Sequence, residues 1–189
     1  MMRYKCVILD RDGVINHDSD SYIKSLEEWS PICGSISAIA ELCKLGLTVC
    51  VATNQSAVAR GLMTEESLLR IHEHLKTLVK DAGGCIKEIH YCPHHPQDNC
   101  TCRKPNSGML ENICTNLHFH PSEVLFVGDN HSDYECAKRF GCDFALVLTG
   151  KGARVEKLID KNVSRFLNLQ ALVTSLRDQG IKDPALDSR

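Results

Sequence analysis

The sequence predicts an α/β fold, Rossmann-like, with a parallel sheet and helices on both faces. Three observations carry this. Short apolar runs alternate with stretches of helical periodicity along most of the chain. The runs are continuously apolar, as strands covered on both faces require. Polar, chemistry-bearing residues stand directly after several of those runs, where ligands bind in sheets of this kind.

The elements follow in order. Residues 4–9 (YKCVIL) form a first buried strand. Residues 35–45 place Ile36, Ile39, Ala40 and Leu42 at helical spacing, and Gly46 supplies a stop. A second strand covers 47–52 (LTVCVA). Thr64 caps a helix that runs to about residue 82, with Leu68, Ile71, Leu75, Leu78 and Val79 on one face and Gly83-Gly84 at its end. A strand at 87–91 leads into a segment rich in Cys, His and Pro at 92–105. Then come a helix at 106–117, a strand at 124–127, a helix at 132–140 and a strand at 144–148. A last strand at 163–167 and a helix at 168–177 complete a single domain over 1–177, and 178–189 reads as a polar tail.

Composition narrows the class. A chain of 189 residues with 43% hydrophobic and 24% charged residues is globular rather than disordered. The net charge of −2 offers no overall basic field for nucleic acid or anionic lipid. No apolar run approaches the ~18 residues that span a bilayer. The start, Met1-Met2-Arg3-Tyr4-Lys5-Cys6, enters a strand without the longer apolar region of a signal peptide. A cytoplasmic monomer acting on a small molecule, without nucleic-acid or membrane partners, is the expectation.

Of the 11 cysteines, nine fall into two groups. Cys6, Cys43, Cys50, Cys114, Cys136 and Cys142 fall in or beside apolar elements, where reduced cysteine acts as a small apolar residue. Cys92, Cys100 and Cys102, with His94, form Cys-x-His and Cys-x-Cys pairs five residues apart. That set suits a closed, structural, tetrahedral Zn²⁺ site, with His95 as the alternative imidazole and a metal-free cysteine-rich loop as the bland alternative. Such a loop runs directly into Arg103-Lys104 and would position the lysine.

Four segments should converge at one sheet edge: Asp10-Arg11-Asp12-Gly13, Thr53-Asn54-Gln55-Ser56, Arg103-Lys104-Pro105, and Gly128-Asp129-Asn130 with Asp133. Crowded carboxylates need a cation or a shared proton, and hard oxygen ligands favour Mg²⁺. The set suits phosphoryl transfer. One Asp can attack phosphorus, and another two residues on can protonate the leaving alkoxide and then activate water.

These residues resemble the motifs of the haloacid dehalogenase (HAD) superfamily over roughly residues 4–150: DxD at 10–12, Thr53, Lys104 and GDxxxD at 128–133. The resemblance implies Asp10 as nucleophile, Asp12 as general acid/base, and Thr53 and Lys104 on the phosphoryl oxygens. It also implies Mg²⁺ on Asp10, the Asp12 carbonyl and Asp129, supported by Asn130 or Asp133. Only 40 residues separate Asp12 from Thr53, so a large cap domain does not fit there.

DRDGVIN, TNQSAVARG, CPHHPQ and CRKP resemble the heptose-bisphosphate phosphatases within this superfamily, and next the histidinol-phosphate phosphatases. The five-residue zinc-loop gap is like the latter, and Ala57 stands where the former carry glycine. The resemblance implies substrate contacts from Asp18, Asp20, Ser21, Tyr22, Asn54, Gln55, Ser56, Arg103 and Lys104. Arg60 is open between the distal phosphate and a solvated role, and Lys151 reads as a loop residue near the site. His72 and His74 read as surface or internally satisfied histidines. A phosphatase fold that has lost activity and only binds is the alternative of another class. Intact Asp10, Asp12, Lys104 and Asp129 speak against it.

Overall fold

The computed structural model describes residues 3–181. Six strands, all parallel, form one sheet: β1 (Cys6–Leu9), β2 (Thr48–Asn54), β3 (Ile86–Cys92), β4 (Val124–Gly128), β5 (Asp143–Val147) and β6 (Ser164–Phe166). Their spatial order is β3-β2-β1-β4-β5-β6. The helices are α1 (Ser35–Lys44), α2 (Glu65–Asp81), α3 (Gly108–Leu117), α4 (His131–Phe140), the short α5 (Gly152–Val155) and α6 (Leu169–Ile181).

Side-chain alternation in the strands splits the core in two. Val7 and Leu9 of β1 join Val49 and Val51 of β2 against residues of α1, α2 and α6, including Ile39, Leu42, Leu75 and Leu172. Cys6 and Ile8 join Cys50, Ala52 and Phe126 on the other face, against Met109, Leu110 and Ile113 of α3 and Cys136 and Ala137 of α4. All four residues of β1 are therefore buried. The cysteines read as core residues lie here or at its border: Cys6, Cys50, Cys114 and Cys136 are buried, while Cys43 and Cys142 are half-buried.

The chain winds outward from β1 to β3 and then returns to place β4 on β1's other side. That reversal opens a crevice beyond the carboxyl ends of β1 and β4. Leu9 pairs with Val51 and Val127, and the next amide, Asp10 N–H, donates to the Val127 carbonyl at 2.9 Å. Asp10 thus leaves the sheet at the crevice, level with the end of β4 and its Asp129.

Several boundaries differ from the sequence expectation, each for a physical reason. β2 extends through Asn54 because β3 continues alongside it, pairing Thr53 with Tyr91 and Asn54 with Cys92. The third long helix begins at Gly108 rather than 106, since a turn closed by Asn106 N–H to the Arg103 carbonyl (2.8 Å) occupies the preceding residues. Single 3-10 turns at Pro96–Asp98 and Pro121–Glu123 and the short α5 were not anticipated. The expected tail 178–189 divides: 178–181 continue α6, and 182–189 lie outside the described residues. The interval between Asp12 and Thr53 holds a loop, α1 and most of β2, which leaves no inserted cap.

Leu172 on α6 is fully buried and far along the chain from the crevice residues. Leu172→Ala should lower stability by about 2–5 kcal/mol in urea unfolding. The catalytic constants of the folded fraction should stay unchanged.

Candidate active site

The crevice is a cavity of about 350 Å³. Asp10, Asp12, Thr53, Asn54, Gln55, Ser56, Arg103, Lys104, Asp129 and Asn130 all line it, so the four strand-end segments meet as expected. Of the sugar-contacting segment expected at 18–22, Asp18, Ser19, Asp20 and Tyr22 line the cavity, and Ser21 is exposed.

At the floor, carboxylate oxygens of Asp10, Asp129 and Asp133 lie within 4.8 Å of one another. One buried ammonium serves two of them: Lys104 Nζ is 2.8 Å from Asp10 Oδ1 and 2.7 Å from Asp133 Oδ1. It also donates to the Ala52 carbonyl at 2.9 Å. Burial disfavours this ammonium, but Asp10 and Asp133 outweigh it and raise the Lys104 pKa above the ordinary lysine value. Burial likewise pushes the Asp10 carboxyl up to about 7, with Asp133 adding and Lys104 opposing. Burial followed by repulsion from Asp10 and Asp133 pushes Asp129 up to about 8. Three carboxylates against one lysine leave an excess of negative charge that a divalent cation would offset, and the all-oxygen donor set fits Mg²⁺.

The Asp129 side chain is seated by backbone. Lys151 N–H donates to its Oδ2 at 2.7 Å. A Cβ on either Gly13 or Gly150 would collide with that same oxygen. Both glycines have positive φ, 84° and 57°, so each also occupies a conformation that other residues resist. Thr149 Oγ1 donates to the Gly13 carbonyl at 2.6 Å and joins the two loops. Asn130, expected on the metal, lines the cavity, and its N–H donates to Asp133 Oδ2 at 3.0 Å.

The Asp12 carboxylate belongs to a different network. It receives Arg11 Nε and Nη2 (3.0–3.1 Å), Asn16 Nδ2 (2.8 Å) and Gln55 Nε2 (2.7 Å). Burial would raise its pKa, but Arg11 and these hydrogen bonds reverse the direction and lower it. Arg11 is fully buried, and its Nη1 lies 3.3 Å from His72 Nε2 on α2. A guanidinium only donates, so that imidazole nitrogen is unprotonated and accepts. Burial and then Arg11 push the His72 pKa down to about 3. His72 is thus the internally satisfied histidine of the sequence reading, and His74 packs edge-on against Trp29.

Gln55 Nε2 also donates to Thr53 Oγ1 at 2.9 Å. Asn54 exchanges two 3.1 Å hydrogen bonds with the Lys104 backbone, one to its carbonyl and one from its N–H. The end of β2 therefore fixes the loop that delivers the lysine.

On the other side of that loop, Cys92, His94, Cys100 and Cys102 also place their ligand atoms within 4.8 Å of one another. Cys92 Sγ lies 3.6 Å from both His94 Nδ1 and Cys100 Sγ. Cys102 Sγ lies 3.2 Å from His94 Nδ1 and 3.5 Å from Cys100 Sγ. Zn–S bonds of ~2.3 Å and Zn–N bonds of ~2.0–2.1 Å imply tetrahedral edges of roughly 3.4–3.8 Å, so the donor set fits Zn²⁺ with little movement. His95 instead accepts the Gln97 N–H through Nδ1 at 3.3 Å and caps the 3-10 turn.

The chain is similar to known proteins. A HAD-hydrolase-like family model matches residues 101–168. The D-glycero-β-D-manno-heptose-1,7-bisphosphate 7-phosphatase of Pseudomonas putida is 49% identical over 173 residues, covering 91% of this chain and 99% of that protein. The corresponding Pseudomonas aeruginosa enzyme is 47% identical over 176 residues, covering 93% and 99%. This chain belongs to the heptose-1,7-bisphosphate 7-phosphatase family. A crystal structure of the Bordetella bronchiseptica D,D-heptose 1,7-bisphosphate phosphatase with magnesium and phosphate superposes with a TM-score of 0.89 at 38% identity, covering 93% of this chain and 99% of that one.

Two groups at this heptose-bisphosphate phosphatase site escaped the sequence reading. Arg11 sits inside the DxD motif, but its burial and its fork onto Asp12 depend on α2 lying beneath it. Gly13, Gly150 and the Lys151 amide form the Asp129 seat from segments 137 residues apart, and glycine carries no chemical label.

Gly150→Ala should weaken Mg²⁺ binding about 10–100-fold, because a misplaced supporting shell costs that much at metal sites. Mg²⁺ titration followed by calorimetry measures it. His72→Phe strands a buried Arg11 donor and should cost about 1–3 kcal/mol at neutral pH. His72 binds a proton less readily in the folded state (about 3) than in the unfolded state (6.5). The native stability it supports is therefore lost as pH falls below that upper value. The deficit of His72→Phe relative to wild type should accordingly shrink in urea melts from pH 7 to pH 4.

Proposed function

We propose that this chain is a Mg²⁺-dependent phosphatase that removes the C7 phosphate of D-glycero-D-manno-heptose 1,7-bisphosphate. The observation that carries this reading is the complete carboxylate–lysine floor in a chain 49% identical to a phosphatase of that name over nearly its whole length. The pathway that follows is ADP-heptose synthesis for lipopolysaccharide core.

In this reading the Asp10 carboxylate attacks phosphorus as the bond to the sugar oxygen breaks. The proton enters on the substrate's phosphate monoester, passes to the Asp12 carboxylate and goes from there to that oxygen. An aspartyl phosphate forms on Asp10, and Asp12, now a carboxylate, takes a proton from water as the water attacks phosphorus. The Asp10–phosphorus bond then breaks, releasing inorganic phosphate and restoring both groups. Lys104 and Thr53 meet the charge on the phosphoryl oxygens. Asp10, Asp129 and the Asp12 carbonyl would hold Mg²⁺, with Asn130 beside them. The cation supplies charge stabilisation to the transferring group when bound. The Arg11 fork gives Asp12 one fixed bearing toward the reacting centre.

The four thiolate and imidazole ligands would hold a structural Zn²⁺ that anchors the loop carrying Arg103 and Lys104. A closed four-ligand set has no open position for water, so it serves the fold rather than the chemistry.

Phosphate release with Mg²⁺, measured on heptose 1,7-bisphosphate and on histidinol phosphate, tests the substrate. A strong preference for the bisphosphate is expected, and preference for histidinol phosphate overturns the assignment. Asp10→Asn should lower turnover about 10³–10⁶-fold, the range that loss of a covalent nucleophile produces. Retained turnover would assign the nucleophile elsewhere.

A further inference from the structure

Four cations line the catalytic cavity: Arg60, Arg103, Lys104 and Lys151. Two are already committed. Lys104 holds Asp10 and Asp133, and Lys151 Nζ is 3.1 Å from Asp18 Oδ2. Among the described residues, Arg60 and Arg103 have no carboxylate partner. Arg103 is half-buried, with Nη1 donating to the His94 carbonyl at 3.5 Å. Arg60 is exposed, and its guanidinium lies 5.8 Å from the centre of the Tyr22 ring.

The backbone beneath Arg60 is firmly placed. Gln55 N–H donates to the Cys92 carbonyl (2.7 Å), and Ala59 N–H donates to the Pro93 carbonyl (3.2 Å). The turn that presents Arg60 is thus strapped to the start of the Cys/His loop at both of its arms. Tyr22, its platform, holds φ at 64°, a conformation disfavoured for a bulky side chain and met mostly where the surroundings enforce it. The Tyr22 N–H donates to the Ser19 carbonyl at 3.0 Å, and the ring packs against the edge of the core. A strained residue therefore keeps an aromatic face under a guanidinium that has no anion to hold.

The rest of the cavity is hostile to a second anion. Asp18 and Asp20 line it, in addition to the four acidic residues Asp10, Asp12, Asp129 and Asp133. A dianionic group outside the reacting centre is repelled by these carboxylates unless an uncommitted cation meets it. A guanidinium at cation–π range of an aromatic ring, with no carboxylate on its N–H groups, keeps its fork free for phosphate oxygens.

We propose that Arg60, seated on Tyr22, binds the second, non-reacting phosphate of the substrate and so selects bisphosphates over monophosphates, a reading that rests on the substrate being a sugar bisphosphate. Arg103 flanks the same cavity. Arg60 is the arm that distinguishes one phosphate from two.

The test is steady-state kinetics of the full-length, Mg²⁺-loaded enzyme and its Arg60→Ala and Arg60→Lys variants on heptose 1,7-bisphosphate and on heptose 7-phosphate. Arg60→Ala should raise KM for the bisphosphate about 10–100-fold, the range set by one charge-assisted contact, with kcat little changed. The same variant should leave kcat/KM on the 7-phosphate within about twofold, since surface substitutions away from a bound group cost little. Arg60→Lys keeps the charge but loses the fork, and its KM should fall between those of wild type and Arg60→Ala. Wild-type preference for the bisphosphate that survives Arg60→Ala overturns the role of Arg60 alone, as does an equal loss on both substrates. Absence of that preference in the wild type overturns the bisphosphate reading itself.

Discussion

One buried ammonium governs the architecture of the site. Lys104 is fixed between Asp10 and Asp133, with Asp129 close by, in a place from which water is largely excluded. Burial and mutual repulsion push the Asp10 and Asp129 carboxyls up in spite of that one cation. A divalent cation would offset the excess of negative charge, so the electrostatic imbalance and the catalytic competence of the site have the same cause. Asp12 is kept outside this account by its own partner, Arg11, which lets one aspartate of the motif handle protons while the other faces phosphorus.

Everything else serves to hold that ammonium still. Lys104 comes from a loop, the kind of segment that is ordinarily mobile. It is restrained on one side by the two-way Asn54 clamp and on the other by the Cys/His cluster two residues upstream. Four neighbouring pairs of these ligand atoms lie 3.2–3.6 Å apart, close enough for one ion to tie the loop down just before the lysine. With no inserted domain between Asp12 and Thr53, this loop and the Asp18–Tyr22 segment form the walls of the crevice.

Much of this was legible in the sequence because strand ends in a parallel sheet are where chemistry must stand. Asp10, Thr53 and Asp129 each follow or end an apolar run, and the switch in strand order brings them together, with Lys104 reaching them from the loop before α3. The Cys/His set was legible for a separate reason, since its spacing has few other uses. What stayed hidden depends on tertiary proximity. The seat of Asp129 uses two glycines and a backbone amide, and Arg11 and His72 meet only once α2 packs onto its face of the sheet. The short α5 lacks the length for a helical pattern to register.

The central position of β1 has a consequence for how the molecule is made. Its partners are β2, some 40 residues on, and β4, where Cys6 pairs with Val124 across 118 positions of sequence. Until β4 leaves the ribosome, one edge of the most apolar strand in the protein has nothing to pair with, and Asp10 has no neighbour in Asp129. Long-range parallel pairing of this kind is slow and leaves sticky intermediates exposed. The nascent chain therefore passes through a stage with its first half collapsed and its catalytic centre unassembled, so the interval before β4 emerges is when it most needs protection from other chains.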